Sequence, residues 1–225
     1  MPLGRLAERL SLVQTEIADA ARAADRDPAS ITTIVITKFH PASLVRDLES
    51  LGVRDFGESR HQEAQAKVAE LADLDATWHF VGQLQSKKAR QVRAYADVLH
   101  SIDRESLVDA LEDPDNVRDA FIQVNLTGEA HRGGVAPADL DALVDRVASG
   151  TGLRLVGLMT VAPLLGEPRA AFARLRELSE RVRMTVPEAT ALSMGMSGDF
   201  REAIMEGATH LRIGTAITGN RPLEG

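Results

Sequence analysis

The chain has 225 residues, 33 acidic and 26 basic side chains, and a net charge of −7. That length suits one large domain or two small ones, and the acidic balance argues against general nucleic-acid or anionic-membrane binding. The absence of cysteine excludes disulfides and thiolate metal sites and makes a cytoplasmic location the expectation, and no apolar stretch approaches the length of a bilayer span.

In chain order, Leu3, Leu6, Leu10, Val13 and Ile17 recur at helical spacing, which predicts an amphipathic helix over residues 3–24 and not a signal-peptide core. Short apolar runs follow at 31–38, 54–58, 77–82, 98–103, 120–125, 153–161, 191–195 and 210–217. Between them lie helical stripes such as Leu44/Val45/Leu48/Leu51, Ala64/Val68/Leu71, Leu140/Leu143/Val144/Val147 and Phe172/Leu175/Leu178/Val182. Pro41 and Pro137 sit where helices start, and Gly52 and Gly207 where they end. Strands that alternate with helices imply parallel pairing through crossovers. Eight such units predict a single (β/α)8 TIM barrel with an extra N-terminal helix, with a doubly wound open sheet as the alternative. No linker or low-complexity tract interrupts residues 1–225, which read as one domain. Segment 127–136, with Gly133-Gly134, looks the most flexible.

In such a barrel the chemistry gathers where strands end, at the C-terminal mouth. The first run closes on Lys38. An amine held partly out of water has its charged form disfavoured and can attack a carbonyl, as Schiff-base lysines do. The seventh run leads into Met196-Ser197-Gly198-Asp199 ahead of a helix, and the eighth into Gly214-Thr215. A glycine beside a hydroxyl in each of the last two loops can form a phosphate cup. The plainer alternative is that Ser197 and Asp199 cap a helix, with Asp199 and Glu202 as a capping box. Leu211 and Ile213 alternate with Arg212, which predicts that the arginine points into the barrel, toward a structural partner such as Glu58 or toward a ligand acceptor.

A lysine for an aldehyde, a phosphate cup and an inward arginine together suggest pyridoxal 5′-phosphate (PLP). An arginine opposite the pyridine nitrogen leaves that nitrogen unprotonated and the ring a weak electron sink. Other constellations are poor. The histidines show no local pair at metal-ligand spacing, and His79 reads as a satisfied core side chain. Lys87, Lys88, Arg90 and Arg93 read as a solvated basic helical face that could assist an anionic ligand at its edge.

The segments I-T-K-F-H-P (36–41), F-G-E-S (56–59), H-F-V-G-Q-L-Q-S-K-K (79–88), L-M-T (158–160), S-M-G-M-S-G-D (193–199) and R-I-G-T-A-I-T-G (212–219) resemble the YggS-like, pyridoxal phosphate homeostasis protein family. The resemblance runs over nearly the whole chain. It implies a PLP fold-type III barrel of the alanine racemase N-terminal type, PLP on Lys38, phosphate contacts around Ser197-Gly198 and Gly214-Thr215, and Arg212 near the pyridine nitrogen. The family commonly has asparagine where this chain has Ser59 and Lys87, departures that bear on affinity.

The expected function is to hold PLP as a lysine Schiff base and support PLP and amino-acid homeostasis without robust catalysis, with PLP-dependent enzymes as clients and the chain as a monomer. The alternative is a PLP-dependent amino-acid racemase. Two-sided proton exchange at Cα needs a base on each face. In the racemases of this barrel type the second base is a tyrosine from a C-terminal β-domain, which this chain is expected to lack, and its single tyrosine, Tyr95, falls in a helical segment.

Overall fold

The computed structural model describes residues 3–129, 132–163 and 165–221. The chain runs α1 (Leu3–Ala23), β1 (Thr32–Ile36), α2 (Ala42–Ser50), β2 (Asp55–Glu58), α3 (His61–Glu70), β3 (Thr77–Phe80), α4 (Ala89–Arg93), β4 (Val98–Ile102) and α5 (Glu105–Ala110). It continues through β5 (Arg118–Gln123), α6 (Leu140–Ser149), β6 (Leu153–Met159), α7 (Pro168–Val182), β7 (Ala191–Ser193), α8 (Phe200–Met205), β8 (His210–Ile213) and α9 (Thr215–Thr218). The strands are parallel and ordered as in the chain, and β8 pairs with β1 to close a barrel. The (β/α)8 barrel is therefore the architecture, and the open sheet is excluded. Among the described residues no helix is long and apolar enough to cross a membrane.

Alternation along the strands sorts the side chains. Val35, Phe56, Trp78, Leu99, Leu211 and Ile213 face outward and pack with Leu44, Val45 and Leu48 of α2, Phe172 and Leu175 of α7 and Ile204 of α8 in one continuous core. Ile34 lies beside Arg212, Ile36 beside Gly57, and Gly57 beside His79, all turned to the barrel interior. A second apolar cluster, Val98, Phe121 and Met159, fills part of that interior. The amphipathic α1 buries Leu6, Leu10, Val13 and Ile17 and packs across α8 and α9, whereas Leu3 is exposed and lies outside the stripe.

Three expectations change. The eighth run is not strand to residue 217, because the chain turns at Gly214 and Thr215–Thr218 is helical. Arg93 is not part of a solvated face. It is buried and donates to the carbonyls of Leu111, Gly152 and Asp113, tying α4 to the loops before β5 and β6. Residues 130 and 131 of segment 127–136 lie outside the described residues; in the rest, Asn125 Nδ2 donates to the carbonyls of Glu129 and Arg132 and Gln123 Nε2 to that of Gly133. Glu58 is not a partner of Arg212. It is one residue past the inward Gly57, so it faces out, where it accepts from Thr37 Oγ1 at 2.7 Å and pairs with Lys67 of α3.

That pair is buried, with side chains 1% (Glu58) and 7% (Lys67) exposed, and Glu58 Oε2 has no hydrogen-bond partner. Lys67 Nζ also donates to the carbonyl of Thr37, one residue before Lys38. Removing one member leaves the other charge in an apolar layer. Lys67→Met, which keeps the stem and deletes the ammonium, is expected to cost roughly 3–5 kcal/mol in urea unfolding. A loss below about 1 kcal/mol would show that the carboxylate finds water or another donor.

Candidate functional site

The mouth is built from strand ends that meet through the closed register. Lys38 lies two residues beyond β1, on the interior parity of Ile34 and Ile36. Its side chain is exposed, so the partial withdrawal from water expected from the sequence is not there. Phe39 follows in the left-handed region, φ 68°, which a bulky side chain rarely adopts. Its N–H donates to Glu63 Oε2 at 3.3 Å, and its ring lies 5.2 Å from the Arg60 guanidinium and 4.3 Å from that of Arg221. These contacts hold the turn that presents Lys38.

On the other side of the mouth, β7 passes into its loop through Gly195, φ 95°. A Cβ there would stand 2.6 Å from the Ala203 Cβ of α8, so only glycine fits the turn. Beyond it lie half-buried Ser197 and exposed Gly198, where an added Cβ would meet nothing within 4 Å. After β8, Gly214 opens α9, and Thr215 is exposed at its first turn. The two loops touch, since Ala216 N donates to Ser197 Oγ at 3.4 Å. A Cβ on Gly214 would lie 3.5 Å from that of Ile36, which sets this turn beside the end of β1 and hence beside Lys38. The structure therefore brings Lys38, Ser197, Gly198, Gly214 and Thr215 to one opening.

Asp199 does not form the capping box. Its Oδ1 accepts from Met196 N at 2.6 Å, inside its own loop, and its side chain makes no cap bond to α8. Burial pushes its carboxyl above the usual range, against the opposing effects of the Met196 amide and Arg212. The charge that would repel an anion here is thus turned inward and disfavoured.

Arg212 points into the barrel, as its alternation predicts, and is 5% exposed. Its two terminal nitrogens donate to Ser193 Oγ at 2.7 Å and to the Thr160 carbonyl at 2.8 Å. Burial pushes the guanidinium down to about 10, with Asp199 acting the other way, so it stays charged at neutral pH. Reading the sequence named Arg212 but missed Ser193, on the neighbouring strand β7. Nothing local in the sequence pairs the two, because the contact depends on the register of β7 with β8.

His79 is the satisfied core side chain expected, with both ring nitrogens bonded. Tyr95 follows α4, not within it, and its hydroxyl sits 3.4 Å from His61 Nδ1 with the rings stacked at 5.9 Å. Burial, and then the Glu58 charge, push this phenol well above its ordinary value.

Residues 17–222 match the family model described as alanine racemase, N-terminal domain. A relative from Pseudomonas aeruginosa, named pyridoxal phosphate homeostasis protein, is 43% identical over 229 residues, covering 97% of each chain. PipY of Synechococcus elongatus, solved with PLP bound, is 37% identical with a TM-score of 0.83 and covers 95% of this chain and 100% of its own. Alanine racemase of Corynebacterium glutamicum, 15% identical with a TM-score of 0.74 over 99% of this chain and 62% of its own, shares the fold. With that degree of identity over nearly the full length of both chains, this protein belongs to the pyridoxal phosphate homeostasis protein family, within the alanine racemase N-terminal-domain family.

Proposed function

We propose that the chain binds PLP at this mouth, held reversibly on Lys38, and supports PLP and amino-acid homeostasis in the cytoplasm without turning amino acids over. The residues fit that group. Lys38 supplies an accessible amine, Gly198 and Gly214 bring no Cβ to the turns that carry the Ser197 and Thr215 hydroxyls, and Arg212 supplies a cation fixed on Ser193 and the Thr160 carbonyl. When bound, PLP supplies an aldehyde that condenses reversibly with an amine, and a ring that withdraws electrons only weakly while its nitrogen lacks a proton. Within this chain, Lys38 captures, the two glycine turns and their amides orient the anionic end, and Arg212 keeps its own proton and so withholds one from the ring.

The observation that carries the reading is the bridge between the two glycine turns, Ala216 N to Ser197 Oγ, set beside the strand that delivers Lys38. Against the racemase reading stands Tyr95, whose phenol is held on His61 and kept protonated by burial, which unfits it as a second base. The reading includes a single barrel domain acting as a monomer, with PLP-dependent enzymes as clients. Purified protein mixed with PLP is expected to develop a yellow absorbance band in a one-to-one ratio. With each enantiomer of several amino acids it should release PLP without interconverting them. Steady enantiomer interconversion would replace the carrier reading with the enzyme reading.

A further inference from the structure

Below the mouth the barrel interior holds a run of polar side chains of which the function above uses only Arg212. Arg212 donates to Ser193 Oγ at 2.7 Å, and Ser193 Oγ lies 2.9 Å from His100 Nδ1. His100 Nε2 lies 2.9 Å from His79 Nδ1, and His79 Nε2 lies 3.0 Å from Asp55 Oδ1. The run crosses from β8 and β7 to β4, β3 and β2. Arg212, Ser193, His100 and His79 are buried, whereas Asp55, the first residue of β2, is 30% exposed at the opposite end of the barrel.

The proton inventory gives the run a direction. A guanidinium can only donate, and a carboxylate can only accept. Since Arg212 donates to Ser193 Oγ, the hydroxyl proton is free for His100 Nδ1. His100 then carries its proton on Nε2 and donates to His79 Nδ1. His79 in turn carries its proton on Nε2 and donates to Asp55. In this assignment every bond points from the arginine to the carboxylate, and each ring carries a single proton. The reversed order requires a cationic His79 and leaves the Ser193 hydroxyl proton without an acceptor in the run. His100 faces His79, His210 and Arg212, and His210 also feels Asp55 and Asp119. Burial, and then those cationic or potentially cationic neighbours, hold His100 well below the usual imidazole range, in keeping with a neutral ring. Aligned bonds of this kind polarise one another and stiffen the donor at their head.

We propose that Asp55, His79, His100 and Ser193 form a directional hydrogen-bond wire that positions Arg212, so that the donor facing the cofactor ring is set from the far end of the barrel. They are positioning residues, and the proposal rests on the PLP reading only in placing Arg212 at the ring. The wire itself is tested in the unloaded protein by long-range ¹H–¹⁵N NMR of the imidazoles. Both His79 and His100 are expected as neutral Nε2–H tautomers at neutral pH, and in Asp55→Ala the tautomer of His100 should become mixed although His100 does not touch Asp55. A wild-type His100 with its proton on Nδ1, or a charged His79, would overturn the wire.

The coupling to the mouth is tested on protein loaded with PLP. Ser193→Ala is expected to release PLP about tenfold faster, the loss of one charge-assisted hydrogen bond, and Asp55→Ala to act in the same direction by a smaller factor. Competition by inorganic phosphate, which reports on the glycine turns alone, should stay unchanged within about twofold in both variants. A wire that serves only stability would move both readouts or neither, and either result removes the positioning role. Should Ser193→Ala fail to fold, Asp55→Ala at the half-open end carries the test. If the wild type takes up no PLP, the cofactor reading fails while the NMR result still decides the wire.

Discussion

Lys38→Ala should lose all borohydride-fixable PLP while its unfolding free energy stays within about 0.5 kcal/mol of wild type. The first half follows from chemistry, since no other amine stands at the mouth on the interior parity of β1. The chain has four lysines, and Lys67 is spent on Glu58 in the outer layer, while Lys87 and Lys88 lie in the turn before α4. The second half follows from exposure, because Lys38 is exposed and the ring it meets is the Phe39 face, 5.9 Å from Nζ, which Arg60 and Arg221 also cover. Phosphate competition should persist in the variant, since Ser197, Gly198, Gly214 and Thr215 do not depend on the amine. Absorbance, reduction followed by intact mass, and a urea titration read the three outcomes. An adduct that survives would move the covalent site elsewhere, and a large loss of stability would mean that the lysine braces the strained turn at Phe39.

Acid should weaken the fold well before its carboxylates are all protonated. Burial holds His210 down at about 4, and His100 is held well below the usual value by burial and by His79, Arg212 and His210. In the unfolded chain both rings titrate near 6.5. Above that pH they are neutral in both states and contribute no pH dependence. As pH falls from about 6.5 toward 4 the unfolded chain takes up protons that the folded chain refuses, so stability rises with pH across this window and is lost on descending it. For His210 alone the loss is on the order of 3 kcal/mol by pH 4, and His100 adds to it. Asp199 acts oppositely, because its raised pKa favours the folded state as it protonates. Urea midpoints measured from pH 7 to 4.5 should fall steadily in the wild type, and His210→Phe should flatten the slope. Equal slopes in the two proteins would mean that His210 is protonated inside the fold at little cost.

The barrel was legible because parallel strands buried on both faces write continuous apolar runs, and amphipathic helices write stripes between them. Lys38, Ser197, Gly198, Arg212, Gly214 and Thr215 could be singled out as candidates because they stand at strand ends or interrupt a strand's apolar alternation. What could not be read were pairings across the barrel. Arg212 needs Ser193 and Thr160 at the ends of β7 and β6, and Glu58 needs Lys67 of α3, and these meet only once strand register and helix packing are set. The same holds for Arg93, whose place on a short basic segment looks like a solvated face until the loops before β5 and β6 wrap over it. Strand 8 was read too long because Thr215–Thr218 continues the apolar run as a single helical turn, too short to announce a period of its own. The interior histidines lie in separate strands, so no spacing in the chain could reveal that they form one hydrogen-bonded run.

The proposed function stands on a reversible covalent bond between Lys38 and PLP at the mouth of the barrel. Its most direct measurement is mass spectrometry of wild-type protein that has been loaded with PLP, reduced with borohydride and digested. The added mass is expected on the peptide that contains Lys38 and on no other. Modification of Lys67, Lys87 or Lys88 in its place, or an unmodified Lys38 in protein that visibly carries PLP, would contradict it.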